Sequence, residues 1–310
     1  MRTSSAGQNK TQGWRHRLIR MLRLFTFGLV AAFVMLGAGY EIIMIEVMTR
    51  PFQGAVCCAT PADWGFQYEN VTFTSNDGIR LAGWHIPTQN GATIILLHGY
   101  NAHRLGMAWH AQVLARHGYG ILMYDLRAHG ESTGNIRSFG WADVNDVSAA
   151  VDFLAAQADV DPERIGILGF SMGGQIALRA AAQTERLRAV IADDPSFGNT
   201  RDAGEPHTFT DYIVHASRWI LFRGIALRSG VRPPAPVIEV IGDIAPRPLL
   251  VISSNPGADN AFRRYYDYAK EPKALWVVPN AWHGGNWSVA PAAYEQTMVT
   301  FFDQALLDTP

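Results

Sequence analysis

The hydrophobic rhythm of the chain changes once, sharply. Residues 24–40 carry no charge at all. As a helix rising 1.5 Å per residue they cover about 25 Å, close to the roughly 30 Å hydrocarbon core of a bilayer, and Arg20 and Arg23 can snorkel to lengthen the span. The pattern predicts a transmembrane helix over residues 24–48. A buried soluble helix and a cleaved signal peptide compete with it; Gly37 and Gly39 suit a processing site, but the run exceeds the ~7 to 15 apolar residues of a signal sequence. Residues 49–65 hold Pro51, Gly54 and Pro61 without a clear period and read as a linker.

From residue 66 the rhythm becomes that of a folded domain. Residues 68–74 and 79–86 are strand-like and flank the turn Asn76-Asp77-Gly78, which predicts a hairpin. Short, nearly continuous apolar runs follow at 93–97, 120–124, 165–168, 187–192, 249–253 and 275–278, as expected for strands buried on both faces. Patterns at 108–117, 142–158, 172–183, 261–269 and 290–307 suit helices. The alternation predicts an α/β domain over residues 66–310, with a mostly parallel eight-stranded sheet and helices on both faces. Residues 195–246 are too long for a plain connection and read as a cap over a site.

With 48% hydrophobic residues the chain can bury a substantial core, and 26 basic against 27 acidic residues leave no global field to attract nucleic acid. Six basic residues, Arg2, Lys10, Arg15, Arg17, Arg20 and Arg23, lie ahead of the first acidic residue, Glu41. By the positive-inside rule this tail is cytoplasmic, which puts the domain on the non-cytoplasmic side of a single-pass membrane protein. The two cysteines, Cys57 and Cys58, are sequence neighbours that do not readily reach ordinary disulfide geometry. They read as small apolar residues of a juxtamembrane connector, with acylation or an intermolecular bridge as alternatives. No metal-ligand spacing is visible.

The candidate chemistry starts at Gly169-Phe170-Ser171-Met172-Gly173, which follows an apolar run and opens a helical one. A serine on a sharp strand-to-helix turn needs small residues two positions to either side, so Ser171 is the candidate nucleophile. Its hydroxyl needs a base, and a third group should orient that base. His283, in the glycine-flanked loop after the last strand, is the expected base. Asp259, in the turn-rich loop after the run at 249–253, is the expected orienting acid, with Asp193 and Asp194 as competitors one strand earlier. Backbone amides of Met172 and Tyr100 are the expected oxyanion donors, Asn101 being the fallback for Tyr100. His98 is expected to pin its loop. Asp125 and Arg127 are expected to pair with each other and hold a neighbouring loop.

These motifs, His98-Gly99, the block from Asp125 to Ser132, Gly169 to Gly174, Asp259 and His283, resemble those of the α/β-hydrolase superfamily across residues 65–305. Within it the chain is similar to membrane-anchored serine hydrolases akin to monoacylglycerol lipases and acylaminoacyl-peptidase catalytic domains. Two departures stand out: Ala128 replaces a common glycine, and the acid loop reads Asn-Pro-Gly-Ala-Asp. The resemblance implies ester hydrolysis through an acyl-enzyme, without a cofactor or metal, on a small-molecule ester or acyl substrate. A peptidase or amide hydrolase using the same triad, and a non-catalytic membrane scaffold, are the alternatives. In the cap, Tyr212, His215, Trp219 and Phe222 recur at roughly helical spacing, suited to facing a pocket or simply the domain surface; facing outward beside an anchor, they would favour a lipid-like ester.

Overall fold

A computed structural model describes residues 5–254 and 261–308. The chain divides into two compact units between Val47 and Met48. The first is built on α1 (Ser5–Thr49), in which His16–Thr49 is long and apolar enough to cross a membrane. The helix continues through the arginines ahead of residue 24, because Arg, Leu and Met all favour helical backbone.

The second unit begins with β1 (Phe52–Gln53), β2 (Glu69–Thr74), β3 (Arg80–Ile86) and β4 (Thr93–Leu97). Next come α2 (Ala108–Arg116), β5 (Gly120–Tyr124), β6 (His129–Gly130), α3 (Val144–Ala155), β7 (Ile165–Phe170), α4 (Met172–Gln183) and β8 (Ala189–Asp193). Two helices, α5 (Phe209–Ser229) and α6 (Val237–Val240), precede β9 (Leu249–Ser253), α7 (Ala261–Tyr268), β10 (Lys273–Val277), α8 (Asn286–Val289) and α9 (Pro291–Phe302).

Eight strands form one sheet in the order β10-β9-β8-β7-β4-β5-β3-β2, in which β3 alone runs against the others. Side chains alternate along each strand, so one strand feeds two cores. Ile95 and Leu97 of β4 pack with Val147, Ile176 and Tyr265 on one face, while Ile94 and Leu96 pack with Leu114, Met298 and Phe302 on the other. This is the architecture the apolar runs predict. The loops at the carboxyl ends of β4, β7, β8 and β10 meet where the strand order reverses, the place where open α/β sheets bind ligands.

The segment expected to be a linker carries structure: β1 pairs with β6, and Pro61–Trp64 forms a 3-10 turn. Within it the cysteine expectation needs correction. Cys57 and Cys58 are bonded to each other across a cis peptide that brings their Cα atoms to 3.1 Å. The expected cap contains α5, which starts at Thr208 with a capping box to Asp211 and ends at Gly230 in the left-handed region.

Candidate active site

Ser171 occupies the single residue between β7 and α4, with φ 53° and ψ −113°. A non-glycine residue at such angles is strained and persists only where its surroundings hold it. Here the Ser171 amide donates to the Asp193 carbonyl at 2.9 Å, and the Ser171 carbonyl accepts from the amides of Gly174 and Ser196. Close packing explains the flanking glycines. A side chain at Gly169 would overlap the Gly173 carbonyl, and one at Gly173 would overlap the Leu97 carbonyl.

His283 lies in the loop after β10, and its Nε2 is 2.9 Å from Ser171 Oγ. The Phe170 ring supports the imidazole, with centroids 5.2 Å apart. The serine is nearly buried, whereas the His283 side chain is about half exposed at 54%. A cavity of about 330 Å3 opens beside the pair, walled by His283, Phe139, Phe197, Leu221, Phe222 and Phe262. Its aromatic lining suits an apolar acyl or alkyl group.

Asp194, directly after β8, is fully buried, and its Oδ2 lies 3.7 Å from His283 Nδ1. That distance is within ion-pair range but beyond a hydrogen bond. The same carboxylate accepts from the Ser254 amide at 2.7 Å, the Gly284 amide at 3.1 Å and Asn286 Nδ2 at 3.2 Å. The segments after β9 and β10 are thereby tied to one side chain. Asp259 lies outside the described residues.

Met172 is the first residue of α4, so its amide belongs to the helix turn that lacks intrahelical partners and carries the positive end of the dipole. Tyr100 and Asn101 follow β4, and Arg137 holds both side chains: its guanidinium lies 4.3 Å over the Tyr100 ring and donates to Tyr100 Oη at 2.8 Å and to Asn101 Oδ1 at 2.5 Å. The backbone of this loop lies beside the elbow, since a side chain at Gly99 would come within 3.3 Å of Ser171 Cβ.

The sheet order, the strained serine turn and the serine–histidine contact invite comparison with known proteins. The family model of the alpha/beta hydrolase fold matches residues 92–220. Protein YfhR of Escherichia coli O157:H7 is 32% identical over 253 residues, covering 77% of this chain and 81% of YfhR. The chain belongs to the α/β-hydrolase family. Among solved structures this α/β hydrolase is similar to an esterase of Pyrococcus furiosus, with a TM-score of 0.67 and 25% identity over 84% of this chain and 98% of the esterase. It also resembles the thiohydrolase aneE of Aspergillus aculeatus, 31% identical over 180 residues, or 56% of this chain and 57% of aneE. Fold and likenesses together support a hydrolytic activity.

The ionisable residues around the elbow of this α/β hydrolase divide into separate supports. His98 is buried, receives the Leu126 amide on Nε2 at 3.0 Å and faces the Gly99 carbonyl with Nδ1 at 2.8 Å. Burial, above all, holds its pKa well below the usual histidine range, so it is a neutral loop pin, as expected. Asp125 and Arg127 do not pair with each other. Asp125 accepts from the amides of Arg104 and Glu131 at 2.8 Å each and faces the Arg104 guanidinium at 3.5 Å. Arg127 forks to Asp146 and Asp77 instead. The two side chains brace different loops, which sequence proximity cannot reveal.

Sequence reasoning also missed the buried polar cluster behind the site. Asp193 accepts from Asn286 Nδ2 at 2.6 Å and from Tyr294 Oη at 2.8 Å, and Tyr294 Oη lies 3.2 Å from His110 Nε2. The two hydrogens of one amide thus serve adjacent carboxyls, Asp193 and Asp194. Burial first, and the neighbouring Asp194 charge second, push the Asp193 pKa up to about 7. Asp193 stood out in the sequence as a competitor for the acid, but its partners Asn286 and Tyr294, about 100 residues further along the chain, did not.

Proposed function

We propose that this α/β hydrolase cleaves carboxylic esters of small molecules through an acyl-enzyme on Ser171. The observation that carries this is the 2.9 Å contact between Ser171 Oγ and His283 Nε2 at a strained strand-to-helix turn. Nε2 takes the hydroxyl proton as Oγ bonds to the carbonyl carbon. The oxygen that becomes negative is held by the amides of Met172 and Tyr100. The proton on Nε2 passes to the leaving alcohol as the ester bond breaks. Water, deprotonated by the same nitrogen, then attacks the acyl carbon and releases the acid and Ser171.

The proposed partner for the charged imidazole is Asp194, supported by its position 3.7 Å from Nδ1; Asp259, the acid expected from chain order, is the alternative. The aromatic cavity beside His283 favours an apolar substrate, a lipid-like ester included. His16–Thr49 is proposed to anchor the chain, with its basic end cytoplasmic and the hydrolase unit on the other side.

The test is covalent labelling of the full-length protein with a fluorophosphonate. Labelling that is lost in Ser171→Ala supports the nucleophile; no labelling of the unaltered protein refutes it. Rates on p-nitrophenyl esters, the matching thioesters and the matching anilides then assign the bond, and turnover of anilides alone would overturn the ester reading.

A further inference from the structure

The cap helix α5 has two apolar faces, and only one is used by the fold. Phe222 and Ile225 point inward, into a cluster with Trp141. On the opposite face Phe209, Tyr212, Ile213, Trp219, Ile220 and Leu227 are 45 to 86% exposed. At 100° per residue these six fall within an arc of about 120°, in a stripe about 27 Å long. Scattered exposed apolar residues need no explanation, but a stripe of this size, interrupted by Arg223 alone among charged residues, marks a surface with an occupant.

We infer that the outward face of α5 seats the hydrolase unit on the surface of a lipid bilayer. Three features select lipid as the occupant. The first is chain continuity: Met48, the first residue of the hydrolase unit, packs against the cluster containing Phe222 and Ile225, and the Thr49 carbonyl accepts from the Arg137 amide at 2.9 Å. The chain therefore enters the hydrolase unit at the cluster that α5 covers, and covalent continuity keeps that unit at the surface of any membrane the preceding helix crosses. The second is charge. Within the arc of the stripe the charged side chain is a cation, Arg223, which favours anionic lipid. The third is residue type: Tyr212 and Trp219 are the amphipathic rings that settle at the level of lipid headgroups, and the Arg223 guanidinium lies 5.3 Å over the Trp219 ring.

The inner face of the same helix contributes Leu221 and Phe222 to the cavity beside His283. Seating α5 on lipid would bring that cavity next to a reservoir of apolar esters. The inference rests on reading His16–Thr49 as a membrane span, and not on the ester chemistry.

The test uses the full-length protein with Cys57→Ser and Cys58→Ser, and one added cysteine: Phe209→Cys, Ile220→Cys, Leu227→Cys or, as a water-facing control, Glu163→Cys. Each is spin-labelled, checked for an unchanged thermal melt, and reconstituted into vesicles of phosphatidylcholine and phosphatidylglycerol. Oxygen, which concentrates in lipid, should relax the labels at 209, 220 and 227 several-fold more effectively than a polar nickel chelate, with the reverse at 163. Chelate-dominated relaxation at all four positions overturns the inference. Strong broadening between like labels in the vesicles means that a second copy covers the stripe, and overturns it as well. Washing a separate sample with alkaline carbonate tests the span itself: release of the protein refutes the span, while the label pattern still judges the seat of α5.

Discussion

Replacing Asp194 with asparagine keeps the shape of the side chain and removes its charge. When Nε2 holds the serine proton, His283 becomes an imidazolium whose Nδ1 is 3.7 Å from Asp194 Oδ2. A unit charge pair at that distance is worth about 4.5 kcal/mol at an effective dielectric constant near 20, and about 1 kcal/mol under full aqueous screening. The carboxylate is buried and the imidazole half exposed, so an intermediate value of about 2 to 3 kcal/mol applies, or about 30- to 150-fold in turnover. The charge exists only after proton transfer, so kcat should fall while KM barely moves. Asparagine must also turn its amide group toward at least one of the three donors that Asp194 now accepts, costing about 1 to 3 kcal/mol of stability. The assay is steady-state hydrolysis of a soluble p-nitrophenyl ester by Asp194→Asn and Asp259→Asn, alongside urea melts that separate lost fold from lost rate. If Asp194→Asn keeps kcat within about threefold while Asp259→Asn loses the larger factor, the electrostatic argument is wrong and the acid is Asp259.

Further outcomes follow from the buried charges and the elbow. The Asp193 carboxyl titrates at about 7 in the fold against about 3.9 in an unfolded chain, so its protonated form favours the fold. Its stabilising contribution, at most about 4 kcal/mol, is complete below about pH 4 and lost as the pH rises to about 7; thermal melts should show that decline, and Asp193→Asn should flatten it. Arg127→Ala leaves Asp146, which is fully buried, without its cation, and should cost about 3 to 5 kcal/mol in urea melts at neutral pH. Gly173→Ala drives a methyl group into the Leu97 carbonyl and should lower the melting temperature and abolish serine labelling together; a normal melt with normal labelling would contradict the packing described.

The fold was legible because each strand of a doubly covered sheet must be apolar on both faces, and the runs at 93–97 and 165–168 have no other use for such composition. The approach of Ser171 to His283 could be anticipated for a related reason: both sit in glycine-flanked loops at the carboxyl ends of strands, where loops converge. The carboxylate was harder. Asp194 looks like a turn residue before Pro195, and its reach toward His283 depends on how β8 and β10 are spaced, which no local pattern encodes. The partners of Arg127 were hidden because Asp77 and Asp146 are 50 and 19 residues away. The bond between Cys57 and Cys58 was missed because ordinary disulfides hold their Cα atoms roughly 4.4 to 6.8 Å apart, farther than sequence neighbours can reach. Helical spacing in the cap marked α5, but spacing cannot say which of two apolar arcs a neighbour will cover.

The backbone link between Thr49 and Arg137 bears on where a version of this hydrolase without the apolar helix should be cut. Arg137 joins the start of the hydrolase unit to Tyr100 and Asn101, since its amide takes the Thr49 carbonyl and its side chain takes theirs. A truncation beginning at residue 50 or later would remove that carbonyl and the Met48 side chain at once, loosening a residue that props the loop after β4. The cut belongs upstream of Met48, so that a shortened protein keeps the last turn of that helix.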